Sequence, residues 1–133
     1  MSEQGEYVYE QLIGKTFDKV YQNGDVIYFE QDGEVVYKLA HDQSCCEHVY
    51  IESVVGDLND LTGQPLYIAE VVYQDASEEA DSDGYVPDSA TWSFFKFATI
   101  KGYVDVRFHG SSNGYYSETA ELFEKGSWGF NYV

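Results

Sequence analysis

Short apolar or alternating runs, each closed by turn-forming residues, set the pattern of this chain. Asn23-Gly24-Asp25 precedes Val26-Ile27-Tyr28-Phe29, and Gln31-Asp32-Gly33 precedes Glu34 through Leu39. Asn-Gly and Asp-Gly supply positive φ at little steric cost, so these positions predict an antiparallel meander through residue 40, with strands over 26–30 and 34–40. The run from His48 to Val55 alternates, which places Val49, Ile51 and Ser53 on one face and Tyr50, Glu52 and Val54 on the other. Further strands are expected over 66–74, opened by Pro65, and over 91–100 and 103–109, joined by Lys101-Gly102. Ser112-Asn113-Gly114 reads as another hairpin, leading into a strand from Tyr116 to Phe123.

Helical pattern is scarce. Residues 7–21 show no clean period, with one short helix expected around Glu10 to Ile13. A single turn is expected from Asp57 to Leu61, with Asp57 as N-cap and Gly63 ending it. The predicted fold is mainly β, a β-rich α+β domain built as an antiparallel sheet of hairpins with one or two short helices. Residues 1–133 form one domain, with a flexible acidic loop at 75–88. The aromatic tail from Gly126 to Val133 is expected to pack back or to pair with a second copy of the chain.

Composition supports a folded β domain. Hydrophobic residues make up 44% and aromatic residues 17% of the chain, including 13 Tyr and 8 Phe, which is enough apolar surface to offset ordering entropy. Charge changes the functional picture more sharply. Lys+Arg number 7 against 24 Asp+Glu, a formal net charge of −17. Such a surface repels phosphate backbones and anionic membranes, so direct nucleic-acid binding and membrane binding are not expected. Basic proteins and cations are the favoured partners.

No apolar run approaches a bilayer span, and the acidic start Met1-Ser2-Glu3-Gln4-Gly5-Glu6 does not resemble a secretory leader. A cytoplasmic location is expected. The two cysteines, Cys45 and Cys46, are adjacent; a bond between neighbours closes a strained ring, so reduced thiols are expected.

The densest reactive stretch is His41-Asp42-Gln43-Ser44-Cys45-Cys46-Glu47-His48. Zinc takes Cys and His, but paired zinc cysteines are separated so that both thiolates converge, whereas adjacent side chains diverge. A Cys–His nucleophile would need positive charge to lower the thiol pKa, and the surroundings are acidic. The loop from Asp75 to Gly84 is rich in carboxylates without the ligand spacing of a calcium loop. No phosphate loop or nucleophile elbow occurs. No enzyme activity, metal or cofactor is therefore expected.

Two binding surfaces remain open. No Lys or Arg occurs between Lys38 and Lys96, while acids recur throughout that span. Glu52, Asp57, Asp60, Glu70 and Asp75 are candidate partner-binding residues, since carboxylates on a rigid frame can imitate the phosphates of a nucleic acid. A second set, Trp92, Lys96, Arg107, His109, Asn113, Tyr115 and Tyr116, combines rings with the only Arg and could stack a nucleotide base while Arg107 forks onto phosphate.

Two blocks carry a resemblance. The first runs from Asp32-Gly33 through His41–Glu47 to Gly56-Asp57-Leu58 and Asp60-Leu61-Thr62-Gly63. The second comprises Trp92 to Lys96, Lys101-Gly102-Tyr103 and Ser112 to Glu118. Together they resemble a small uncharacterised family seen mostly in bacteriophages and prophages. The resemblance carries no catalytic residues and implies a viral accessory context in the cytoplasm of a host cell. The leading expectation is a non-catalytic inhibitor that blocks a basic, nucleic-acid-handling host defence protein by nucleic-acid mimicry. The alternatives are a sponge for a nucleotide immune signal and a phage structural or assembly factor.

Overall fold

Turn chemistry places the chain reversals. Asp32 and Gly33 both take positive φ, 56° and 79°, the signature of a two-residue hairpin whose twist matches its strands. The computed structural model describes residues 5–43, 46–76, 89–112 and 117–127. Its strands are β1 (Gly5–Val8), β2 (Lys19–Asn23), β3 (Val26–Gln31), β4 (Glu34–Ala40), β5 (His48–Val55), β6 (Ile68–Asp75), β7 (Ser89–Thr99), β8 (Gly102–Ser112) and β9 (Glu121–Glu124). Two 3-10 turns, Glu10–Leu12 and Leu58–Leu61, are the helical elements among the described residues. The second is capped as expected: the Asp57 side chain accepts the Asn59 N–H at 2.9 Å, and Gly63 follows with φ +74°.

The hairpins form two antiparallel sheets rather than one. The first has the order β1-β6-β7-β8-β5 and the second β2-β3-β4-β9. Their inner faces share one core. Val71, Phe95, Phe97, Val104, Val106 and Phe108 come from the larger sheet, and Val20, Ile27, Phe29, Tyr37 and Leu39 from the smaller. Phe29 meets Phe97 across the sheets, ring centroids 5.5 Å apart, and Phe17 packs edge-on against Phe29 at 5.2 Å. The chain is a single β-rich domain.

Several expectations are corrected. The strand expected from Tyr116 to Phe123 begins at Glu121, with Ser117 to Ala120 irregular, and it pairs with β4 rather than returning beside β8. Residues 113–116, where that hairpin was expected, lie outside the described residues. In β5 the expected alternation holds only as far as Ile51. The register with β8 shifts between Ile51 and Ser53, so Glu52 is an extra residue; Val54 turns into the core and Ser53 stands opposite Arg107 on the outside. The expected loop at 75–88 starts too early, because Asp75 closes β6 and Ala76 is buried. Its remainder, 77–88, is outside the described residues, as is the tail from residue 128. Cys46 is disulfide-bonded instead of a free thiol, and Cys45 lies outside the described residues. β1 has no counterpart among the expected strands: it is short, and the surrounding stretch has no period to reveal it.

Two of the acids turn inward. Glu47 is buried and its Oε2 lies 2.7 Å from His41 Nε2, while His41 Nδ1 donates to the Thr119 carbonyl at 2.8 Å. Glu118 is buried and accepts from the hydroxyls of Thr91 and Ser112, both at 2.7 Å. These bonds replace the water each group loses, which a buried carboxylate requires. At the outer edge of β5, the Asp25 side chain from the β2–β3 turn accepts the Ile51 N–H at 2.9 Å. No helix among the described residues is long and apolar enough to cross a membrane.

The approach of Glu118 to β8 fixes one residue type. A Cβ on Gly110 would stand 1.8 Å from the Glu118 carbonyl oxygen, a backbone atom with nowhere to move. Gly110→Ala is expected to cost about 3 kcal/mol or more by overpacking. Gly24→Ala meets no neighbour and carries only its φ of +63°, a strain of about 1 kcal/mol. Urea unfolding of both variants checks this; equal midpoints for the two would contradict the steric account.

Candidate functional site

Strand register decides which of the singled-out residues meet. Along β7 and β8 the pairs Trp92↔His109, Phe94↔Arg107 and Lys96↔Asp105 stand side by side. Their neighbours Ser93, Phe95 and Phe97 point into the core, so period-two alternation puts this set on the outer face. β6 adds Glu70 opposite Lys96, Val72 opposite Phe94 and Gln74 opposite Trp92. β5 adds Tyr50 opposite His109 and Ser53 opposite Arg107.

Arg107 is the centre of this face. Its Nε and Nη2 donate to Glu52 Oε1 at 2.8 and 2.6 Å. Its guanidinium lies 5.1 Å from the centroid of the Trp92 ring, within reach of the ring quadrupole. Trp92 in turn meets His109 edge-on at 4.6 Å, and Tyr50 lies 5.7 Å from His109 and 5.0 Å from His48. The hydrogen bond from Arg107 holds the Glu52 carboxyl below its ordinary pKa, against a smaller opposing effect of desolvation. Glu52 keeps the outward side that it shares with Tyr50, and the bulge sets Ser53 out beside it, opposite Arg107.

The face is hollowed here into a depression of about 460 Å³ whose lining includes Ser53, Glu70, Val72, Lys96, Asp105 and Arg107, with Val55 and Phe94. Val72 is 37% and Val55 59% exposed, a large apolar share for a sheet face in water. By register Lys96 is flanked by Glu70 on one strand and Asp105 on the other, and its amine lies 5.6 Å from the Tyr103 ring.

The two candidate sets are therefore not separate. Glu52 and Glu70 share one face with Trp92, Lys96, Arg107 and His109. Asp57 and Asp60 do not: they sit on the 3-10 turn packed at the β7–β8 turn, where Asp60 Oδ2 approaches Gly102. Asp75 is at the other end, paired with Thr91. Thr91 and Thr99 are about 26 Å apart at ~3.3 Å per strand residue. The five acids thus do not form one row. Asn113, Tyr115 and Tyr116 lie outside the described residues. Sequence reasoning missed Tyr50, Phe94, Val72 and Asp105, whose membership follows only from register. Among the described residues no group of three or more His, Cys, Asp and Glu is arranged to hold a metal ion.

Residues 10–122 match the model of a family described as a domain of unknown function, DUF7448. No curated protein and no solved structure matches the chain.

The Arg107–Glu52 contact is testable. Arg107→Ala is expected to return the Glu52 carboxyl upward toward its ordinary value, read by carboxyl-detected NMR titration. An unchanged Glu52 titration would mean that Arg107 does not set its charge state.

Proposed function

From the geometry of a chain that belongs to the DUF7448 family, we propose a non-catalytic binding protein that docks a basic protein partner on the outer face of its larger sheet. The observation that carries this reading is the Trp92–Arg107–Glu52 cluster beside a half-apolar depression, bordered by Glu70 and Asp105. Trp, Tyr and Arg at the middle of a patch are the residue types that supply most binding energy at protein interfaces. The net charge of −17 adds long-range attraction for a cationic partner.

The distribution of the acids shapes the mechanism. Because they are spread over both ends and the outer face, the proposed mimicry of nucleic acid works as a field that steers the partner. The aromatic and Arg centre supplies the hold. The resemblance to phage proteins suggests the setting: an accessory protein in a host cell that occupies a nucleic-acid-handling defence protein.

The test uses the tagged full chain against host lysate, with capture of a basic protein read by mass spectrometry. Trp92→Ala combined with Arg107→Ala is expected to lower its capture more than tenfold, since each hot-spot truncation costs about 2 kcal/mol. Added nucleic acid and raised salt are expected to release it, because exposed charge attraction is screened over about 10 Å at ~0.1 M. Capture unaffected by the double variant, salt and nucleic acid would refute the proposal. An Arg107-dependent thermal shift with nucleotides, without protein capture, would replace it by nucleotide sequestration.

A further inference from the structure

Tyrosines gather at the opposite side of the larger sheet, where the sandwich opens at its edge. β1 is the last strand of that sheet, paired only with β6 in the order of strands. Its register sets Tyr7 beside Val71 and Gly5 beside Tyr73, which brings Tyr7 edge-on to Tyr73 on the inner side, centroids 5.8 Å apart. After β1 the chain turns inward. The Tyr9 N–H donates to the Ala69 carbonyl at 2.8 Å, and the Tyr9 ring stacks on Phe95 at 6.4 Å. Across the gap runs the segment entering β9, the edge strand of the smaller sheet. The Tyr73 hydroxyl donates to the Ala120 carbonyl at 2.8 Å and so ties the two edges together.

Between these edges lies a cleft of about 390 Å³ lined by Tyr7, Val8, Tyr9, Tyr73, Thr119 and Glu121. Glu121 is the one charged residue in that lining. Three electron-rich rings and a carboxylate, with no Lys or Arg among them, make a negative cavity with half-apolar walls. Burial raises the Tyr73 and Tyr9 hydroxyls above their ordinary pKa, and the Glu121 charge raises both further. The cavity therefore disfavours another anion. A phosphate or carboxylate ligand meets that repulsion. A bare metal ion finds one carboxylate where it needs several oxygen ligands. A cation with an apolar coat satisfies both the rings and the carboxylate.

We propose that this cleft binds an alkylammonium group, the chemistry of a lysine side chain and its methylated forms. Tyr7, Tyr9 and Tyr73 surround the methyl or methylene groups, and Glu121 balances the charge. The site stands apart from the outer docking face and does not depend on it.

The experiment titrates tetramethylammonium chloride into the full chain at constant ionic strength, following tyrosine ring signals by NMR. Neutral tert-butyl alcohol is the isosteric control. Saturable shifts of the Tyr7, Tyr9 and Tyr73 rings are expected with the cation, and none that saturate with the alcohol. Glu121→Gln is expected to weaken binding about threefold, as loss of an exposed charge pair would, and Tyr7→Ala about threefold, as loss of an exposed cation–π contact would. Tyr7→Phe is expected to retain it. Tyr7 and Glu121 are exposed, so all three variants keep the core and give the wild-type spectrum elsewhere. Shifts that never saturate, equal response to the alcohol, or affinity unchanged by Glu121→Gln would each overturn the proposal.

Discussion

Phe97 on the larger sheet and Phe29 on the smaller meet ring to ring, and the contact is built into a continuous aromatic layer. Phe17 and Tyr37 extend it on one side, Phe95 and Phe108 on the other. Neither sheet has another way to bury its inner face, so each depends on the other for stability. The long β7–β8 hairpin is the part of the larger sheet that carries most of this layer. Because its inner residues are locked in rings, its outer residues are locked in register. The positions of Trp92, Phe94 and Lys96 beside His109, Arg107 and Asp105 follow from that packing.

Turn residues and β-favouring runs made the central strands legible. β4 and β5 run over the expected 34–40 and 48–55, and β3 ends one residue past the expected 26–30. Local signals stop there. Whether hairpins share a sheet is decided by the core, and the division into two sheets had no local mark. The bulge at Glu52 was equally invisible, since the run from Val49 to Val54 reads as a plain alternation; only the pairing partner reveals that Val54 has moved inward.

The candidate site was legible in its chemistry and not in its geometry. Arg107, Trp92 and His109 stood out by residue type, and the register does bring them together. Acid composition did not translate into an acidic face. Glu47 and Glu118 are consumed inside the fold, and Asp57 caps a 3-10 turn. A carboxylate in a sequence is a charge, but its place depends on which backbone donors and hydroxyls claim it. The tyrosine cleft had no sequence signal at all, because its residues come from β1, β6 and the entry to β9.

The Asp25 contact with Ile51 also bears on how the molecule behaves toward copies of itself. β5 is an outermost strand, and such strands offer unpaired backbone groups on which a second chain can add. Here one outward N–H is already occupied by the carboxylate of a turn from the other sheet, and the extra residue at Glu52 breaks the even spacing that a docking strand would need. A chain rich in tyrosine and phenylalanine is thereby guarded at one margin against edge-to-edge stacking, the first step toward fibrous assembly.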